Sequence, residues 1–188
     1  MKEIEILVEV LSDKDEALKK LSAFTFLGEK HVLDIYYTDP LRQNLKPDAS
    51  GRLTASFRLR SKDDKALMTY KIDHFNGNGI WVYSDEYEIK ISDFEVAEHI
   101  IANLNLKELV RIDNYKFTYE TPEYEIVLEN VIGLGLFLEV ELRSQVADDQ
   151  VDAVKRQIQK FIDSLDIKVS DELNAGKPEL MLRKKQPT

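Results

Sequence analysis

Two pairs of glutamates stand two residues apart, Glu3 with Glu5 and Glu139 with Glu141. Alternate residues of an extended strand share a face, so each pair presents both carboxylates to the same side. Carboxylates placed so closely repel unless they are separated, protonated or bridged by a cation, and Mg²⁺ or Mn²⁺ prefers such hard oxygen ligands. Arg58 and Arg60 repeat the spacing with guanidinium groups, Lys71 falls on the segment expected beside them, and Lys116 on a later one. Guanidinium forks take phosphate oxygens bidentately, and lysine adds a point charge. Each set alone has a plainer reading, as solvated strand glutamates or as cross-strand salt bridges between the acids and the bases. Brought round one closed surface, the acids suit a metal and the bases a polyphosphate.

Other chemistries lack a pattern. His31, His74 and His99 show no metal-ligand spacing, and no serine sits in an elbow motif. Gly133-Leu134-Gly135 is not a phosphate loop and fits a turn. Trp81, Tyr83 and Tyr87 fit packing on the outer face of a sheet better than a nucleotide-stacking platform.

Strands must position the charged pairs. From Lys2 to Val10, Ile4, Ile6, Val8 and Val10 point one way while Glu3, Glu5, Leu7 and Glu9 point the other, and the same period of two returns down the chain. Phe57 and Leu59 oppose Arg58, Arg60 and Lys62; Tyr87 and Ile89 oppose Glu86, Glu88 and Lys90; Leu138 and Val140 oppose Glu139 and Glu141. With the stretch from His31 to Thr38, about eight strands are expected, joined by turns such as Asn76-Gly77-Asn78-Gly79, and so largely antiparallel. Three helices with single apolar stripes are expected near 13–25, 93–105 and 148–165, the first two capped through Ser12 with Asp15 and Ser92 with Glu95; a helical or extended tail follows Pro178. Two arrangements satisfy this alternation. An open sheet could pack its apolar face on the helices and show its charges to water. Alternatively, the sheet closes with helices outside and its charges lining a lumen, for which eight strands are enough.

Composition narrows the partners. The 188 residues carry 26 Lys and Arg against 35 Asp and Glu, a net charge of -9, which disfavours nonspecific binding to nucleic acid or anionic membrane. With no cysteine there is no disulfide framework, thiol nucleophile or thiolate metal site. No apolar run approaches the roughly 20 residues of a membrane span and no leader pattern opens the chain, so a soluble, cytoplasmic protein is expected.

The ordered set of pieces resembles the CYTH superfamily, the triphosphate tunnel metalloenzymes, which include class IV adenylyl cyclases, thiamine triphosphatases and inorganic triphosphatases. The pieces are Glu3-Ile-Glu5, Phe57-Arg58-Leu-Arg60, Thr69-Tyr70-Lys71, Glu86-Tyr87-Glu88, Tyr115-Lys116 and Val131-Ile-Gly133-Leu-Gly135-Leu-Phe137-Leu-Glu139-Val-Glu141, and Asp34-Ile-Tyr36-Tyr37 is similar to the family's segment after the first helix. The resemblance implies a single α+β domain over residues 1–188, a closed eight-stranded antiparallel barrel with helices packed outside. It implies Mg²⁺ or Mn²⁺ held by Glu3, Glu5, Glu139 and Glu141, with Arg58, Arg60, Lys71 and Lys116 on the triphosphate, whether ATP or a tripolyphosphate-like molecule. Glu86 and Glu88 match a further motif. The chain also departs from the pattern: Leu7 stands where the family has the lysine of E-x-E-x-K, Asn114 where a later strand is basic, Glu129 where an aspartate precedes the Gly-Leu-Gly turn, and Gly176-Lys177-Pro178 where a Ser-Tyr segment is expected. Lys177 or Arg111 could supply the missing charge. The similarity is nearest to class IV adenylyl cyclase-like proteins, which convert ATP to cyclic AMP and pyrophosphate. Triphosphate hydrolysis and a noncatalytic phosphate-binding module stay open as alternatives, and a homodimer is compatible with the family.

Overall fold

The alternation of charged and apolar residues becomes one antiparallel sheet that curls back on itself. The computed structural model describes residues 2–62 and 65–185. Its strands are β1 (Lys2–Glu3), β2 (Glu5–Glu9), β3 (Thr25–Thr38), β4 (Ala55–Lys62), β5 (Lys65–Phe75), β6 (Trp81–Ile91), β7 (Lys107–Glu120), β8 (Tyr124–Val131) and β9 (Gly135–Leu142). The helices are α1 (Lys14–Leu21), α2 (Phe94–Asn103), α3 (Val151–Ser164) and α4 (Lys177–Lys185). The strands run in the order β1-β6-β5-β4-β3-β7-β8-β9-β2.

The eight expected strands are nine because the first changes partner at Ile4. Glu3 pairs with Ser84 of β6, whereas Glu5 pairs with Glu141 of β9. The two ends of the strand order are therefore halves of one extended run, and the sheet is a nearly closed barrel. At the switch the Leu142 amide donates to the Ile4 carbonyl at 3.0 Å, so the ladder continues across it.

Closure inverts the usual sheet. Ile4, Ile6, Val8, Ile126, Leu128, Leu138 and Val140 face outward, in one buried cluster with Ala17 and Leu21 of α1 and Val151, Val154, Ile158 and Ile162 of α3. The spacing of those α3 residues makes a single stripe along one face of the helix. Ala97 and Ile101 of α2 cover Ile35 and Leu59 in the same way. With the apolar face sealed under helices, the charged face lines the interior, and the open sheet is excluded.

Local boundaries differ from expectation: α1 ends at Leu21 rather than near residue 25, and β3 begins at Thr25, six residues before His31. Asp13, not Ser12, caps α1 by accepting from the Glu16 amide at 2.9 Å, and Asp93, not Ser92, caps α2 by accepting from the Val96 amide at 2.9 Å. In both places serine and aspartate are adjacent, and the carboxylate is the stronger acceptor for the helix N-terminus. The β8–β9 turn passes through Gly133 at φ 74°, a left-handed conformation that favours glycine.

Beyond Glu3 the free edge of β2 is taken by the segment after α3. The Leu11 amide donates to Lys168, Ser170 to Glu9 and Leu173 to Leu7, at 2.8, 2.9 and 3.0 Å. That segment leads into α4, whose Met181 packs on Leu7, Tyr36, Val110, Ile112, Val131 and Phe137. One end of the barrel is thereby filled.

If α3 seals the outer wall, Ile158→Ala should lower unfolding free energy by about 2–5 kcal/mol in urea denaturation, the usual cost of a large buried cavity. A loss below about 0.5 kcal/mol would show that α3 is not part of the core.

Candidate functional site

The lumen is one continuous cavity, and Glu3, Glu5, Glu139, Glu141, Arg58, Arg60, Lys71, Lys116, Glu86, Glu88 and Lys177 all line it. Glu129 lies against it, fully buried, bonded to two of the lining lysines. Strand parity does most of this, since each residue sits on the inward face of its strand. Lys177 is the exception and enters from α4. Arg111, considered as a substitute charge, is on the outer face of β7, exposed and bonded to Glu108 at 2.8 Å. It stands an odd number of residues from inward-facing Lys116, so the pleat turns it away.

The interior charges form a connected set. Lys71 reaches Glu3 at 2.8 Å and Glu5 at 3.3 Å. Arg58 reaches the Tyr36 hydroxyl at 3.3 Å and Glu86 at 3.5 Å, while its Nε is buried without a partner. Arg60 donates through Nε and Nη2 to the two oxygens of Asp34 at 2.7 and 2.9 Å. Lys116 and Lys177 meet the same Glu129 oxygen at 3.1 and 2.6 Å, and Lys177 also bonds Glu139. Thr69 donates to Glu88 at 3.0 Å. The plainer expectation of salt bridges between acids and bases is therefore met as well, but inside the barrel.

Among the described residues, ten carboxylates and six cations line the cavity. The imbalance falls on neighbours in the β2–β9 ladder, Glu5 and Glu141. Burial, reinforced by Glu5, Glu3 and Glu139, pushes the Glu141 carboxyl up to about 9. Burial likewise raises Glu5 to about 7 against the opposing pull of Lys71. Glu139 behaves oppositely: burial would raise it, but Lys177 and Lys116 hold it well below the usual carboxylate range. A divalent cation fits this donor set, since Glu5 and Glu141 are hard oxygen ligands paired on adjacent strands, and Glu5 shares its one lysine, Lys71, with Glu3. No group of three His, Asp or Glu among the described residues is gathered for a metal.

Several lining residues were not singled out as site candidates. Lys62 continues the Arg58–Arg60 alternation into the cavity, where burial and the charges of Lys30, Arg60 and Lys116 lower its pKa. Asp34 and Tyr36 sit on the inward face of β3, opposite Arg60 and Arg58 in register. Trp81, expected on the outer face, lines the cavity and donates to Ser84 at 3.0 Å. The cause is a register irregularity between His74 and Phe75, which breaks the parity of the β5–β6 ladder near its tip. Asn114, where a basic residue was expected, is fully buried with both side-chain polar atoms unpartnered.

Comparison with known proteins bears on the family and the fold. A CYTH domain model matches residues 1–174. The chain is 32% identical over 174 residues to a Methanocaldococcus jannaschii protein named "Putative adenylate cyclase MJ0240", covering 89% of this chain and 91% of that one. Among solved structures, PH1819 of Pyrococcus horikoshii superposes with a TM-score of 0.79 at 23% identity, over 96% of this chain and 99% of that one. A Hippeastrum protein, described as an adenylyl cyclase candidate with a dominant triphosphatase activity, gives 0.69 at 18% identity, over 98% and 97% of the two chains. At those identities the two structures attest the fold.

The Asp34–Arg60 fork sets a stability test. Burial would raise the Asp34 carboxyl, but Arg60 and Arg58 hold it well below its ordinary value. Its contribution is thus complete above the unfolded value near pH 3.9 and is lost as pH falls below it. Asp34→Ala, which leaves a buried guanidinium without its partner, should cost about 3–5 kcal/mol at neutral pH. Asp34→Asn should flatten the acid limb of a stability–pH profile, measured by denaturant melts; an unchanged limb would contradict the assignment. Arg111→Ala, on the exposed outer face, should stay within about 0.5 kcal/mol.

Proposed function

This chain belongs to the CYTH domain family, and on that premise we propose that it is a metal-dependent enzyme acting on a triphosphate inside the barrel. One observation carries the proposal: Glu5 and Glu141 stand side by side where neither keeps its charge easily without a cation, and a row of arginine and lysine side chains shares their lumen. A neutral or purely cationic small molecule would leave that basic row without use, and a bare polyanion would meet the acidic pair head-on. A metal-bound polyphosphate answers both.

In this reading Arg58, Arg60, Lys71 and Lys116 bind and orient phosphate oxygens. Arg58 keeps one buried donor unpartnered, and Arg60 commits only Nε and Nη2 to Asp34, so each guanidinium has capacity left for a ligand. Glu5 and Glu141, with Glu3 and Glu139 nearby, would hold Mg²⁺ or Mn²⁺, which would screen the phosphate charge and stabilise the charge that develops on the leaving group. The filled end of the barrel excludes water from the inner side of the site.

For the reaction we take cyclisation of ATP. The 3′-hydroxyl oxygen bonds the α-phosphorus, the bond from that phosphorus to the bridging oxygen breaks, pyrophosphate leaves and the hydroxyl proton is lost to solvent. The support is Leu7, which is buried, uncharged and directly opposite Glu139. It can neither donate a hydrogen bond to an incoming water nor orient it, and Lys177, the cation nearest that position, is committed to Glu129 and Glu139 rather than free to hold a water. A nucleophile already attached to the substrate retains its geometric advantage.

Two measurements test this. Tripolyphosphate with Mn²⁺ should raise the melting temperature, because a ligand bound only by the native state stabilises it. Arg58→Ala with Arg60→Ala should abolish most of that shift, and Glu139→Gln with Glu141→Gln its metal-dependent part. Chromatography after incubation with ATP and Mn²⁺ should show cyclic AMP and pyrophosphate. ADP and inorganic phosphate in place of cyclic AMP and pyrophosphate would replace cyclisation by hydrolysis, and no turnover of any triphosphate would leave a binding module.

A further inference from the structure

One lumen cation does not come from the barrel wall. Lys177 is the first residue of α4, yet its side chain is only 12% exposed and its ammonium bonds Glu129 at 2.6 Å and Glu139. The adjacent wall position explains the space it occupies. Leu7 is inward on β2 and directly opposite Glu139 in register, so the wall itself is uncharged there. The chain that delivers Lys177 is anchored at that same point, where the Leu173 amide donates to the Leu7 carbonyl at 3.0 Å. Glu179 then fixes the start of α4, accepting from the Leu53 amide at 2.7 Å and the Gly176 amide at 2.6 Å.

Neutralising Glu129 does not by itself require this lysine, because Lys116 already bonds the same carboxylate oxygen at 3.1 Å. Beside the two ammonium groups, polar atoms go unmet. The second Glu129 oxygen and both polar atoms of the Asn114 side chain are buried with no partner. Asn114 is two residues before Lys116 on the inward face of β7, so these groups gather toward the same inner part of the site. Buried polar groups are ordinarily satisfied by protein or ordered water; of these atoms the Asn114 Nδ2 is a donor that an anion's oxygen could meet, while the two oxygens need a donor of their own.

We propose that Lys177 is a substrate-binding residue, its ammonium meeting the innermost phosphate, and that the C-terminal segment supplies there the charge that the wall lacks at position 7. The proposal rests on the triphosphate reading above and adds α4 to the site. It assigns the anchoring of residues 168–179 a role in ligand binding as well as in closing the barrel.

Calorimetric titration of tripolyphosphate in the presence of Mn²⁺, alongside ligand-free thermal melts, separates the possibilities. Lys177→Met should bind at least about tenfold more weakly than wild type, the ordinary effect of losing a hydrogen bond to a charged group. Lys177→Gln, which keeps a donor for Glu129 but no charge, should also bind weakly, and serves if Lys177→Met does not fold. Leu7→Lys in either background should restore most of the affinity, because a lysine there stands opposite Glu139 on the neighbouring strand. A role confined to packing would not be rescued by a charge placed on β2. The proposal is overturned if a folded Lys177 variant binds within about twofold of wild type, or if the Leu7→Lys double variants regain nothing while melting like wild type. If wild type itself takes up no tripolyphosphate, the triphosphate reading fails and Lys177 with it, a result distinct from binding that ignores Lys177.

Discussion

Opposite charges hold one another inside a space that water only partly reaches, and the rest of the molecule follows from that. Removing an ion from water costs several kcal/mol, repaid only by close partners of opposite sign. The lumen places Lys71 between Glu3 and Glu5, Arg60 on Asp34, and Lys116 and Lys177 on Glu129. These pairs do little for stability compared with an apolar core of equal size. Stability must come from the other side of the sheet, where α1, α2 and α3 cover the outward aliphatic residues. The helices are a consequence of turning a sheet inside out.

The same constraint explains the seam. A sheet with a charged interior cannot leave an edge open, because the lumen would drain into solvent and the ion pairs would lose their low-dielectric surroundings. The first strand solves this by serving β6 with Lys2 and Glu3 and, past Ile4, β9 with the five residues from Glu5 to Glu9. What remains of its free edge is occupied by residues after α3, which then turn across the barrel mouth. Closure and delivery of Lys177 are thus one structural event. Lys155 of α3 ties the segment from outside by bonding Glu172 and the Trp81 carbonyl.

Strand parity made much of this legible beforehand. Glu3, Glu5, Arg58, Arg60, Lys71, Lys116, Glu139 and Glu141 could be assigned to one face from spacing alone, and the structure puts them in one cavity. Closure was not legible in the same way, because an open sheet and a barrel have the same alternation; only the resemblance separated them. The switch at Ile4 leaves no mark, since that residue continues the apolar row in either pairing. Trp81 was misplaced because a ladder irregularity resets parity without any compositional signal. Arg111 is a different lesson: its distance from Lys116 already placed it outside. Lys177 had no periodic context, and its place depends on hydrogen bonds made by residues before it.

The pairings in the lumen also bear on how a ligand enters it. Arg60 is clamped by two bonds to Asp34, which fix the guanidinium plane while leaving Nη1 uncommitted. That geometry is pre-organised: a phosphate oxygen can be accepted without breaking the clamp, and little side-chain entropy is left to lose. The lysines differ. Lys71 and Lys177 each span two carboxylates, so a phosphate must share or displace one of those bonds. Such an exchange is favourable only if the released carboxylate finds another cation, and of the four acids concerned Glu3, Glu5 and Glu139 adjoin Glu141, whose carboxyl is pushed up to about 9. On the proposed reading, phosphate uptake by the lysines and cation uptake by the glutamates would be thermodynamically linked, each removing a cost that the other would face alone.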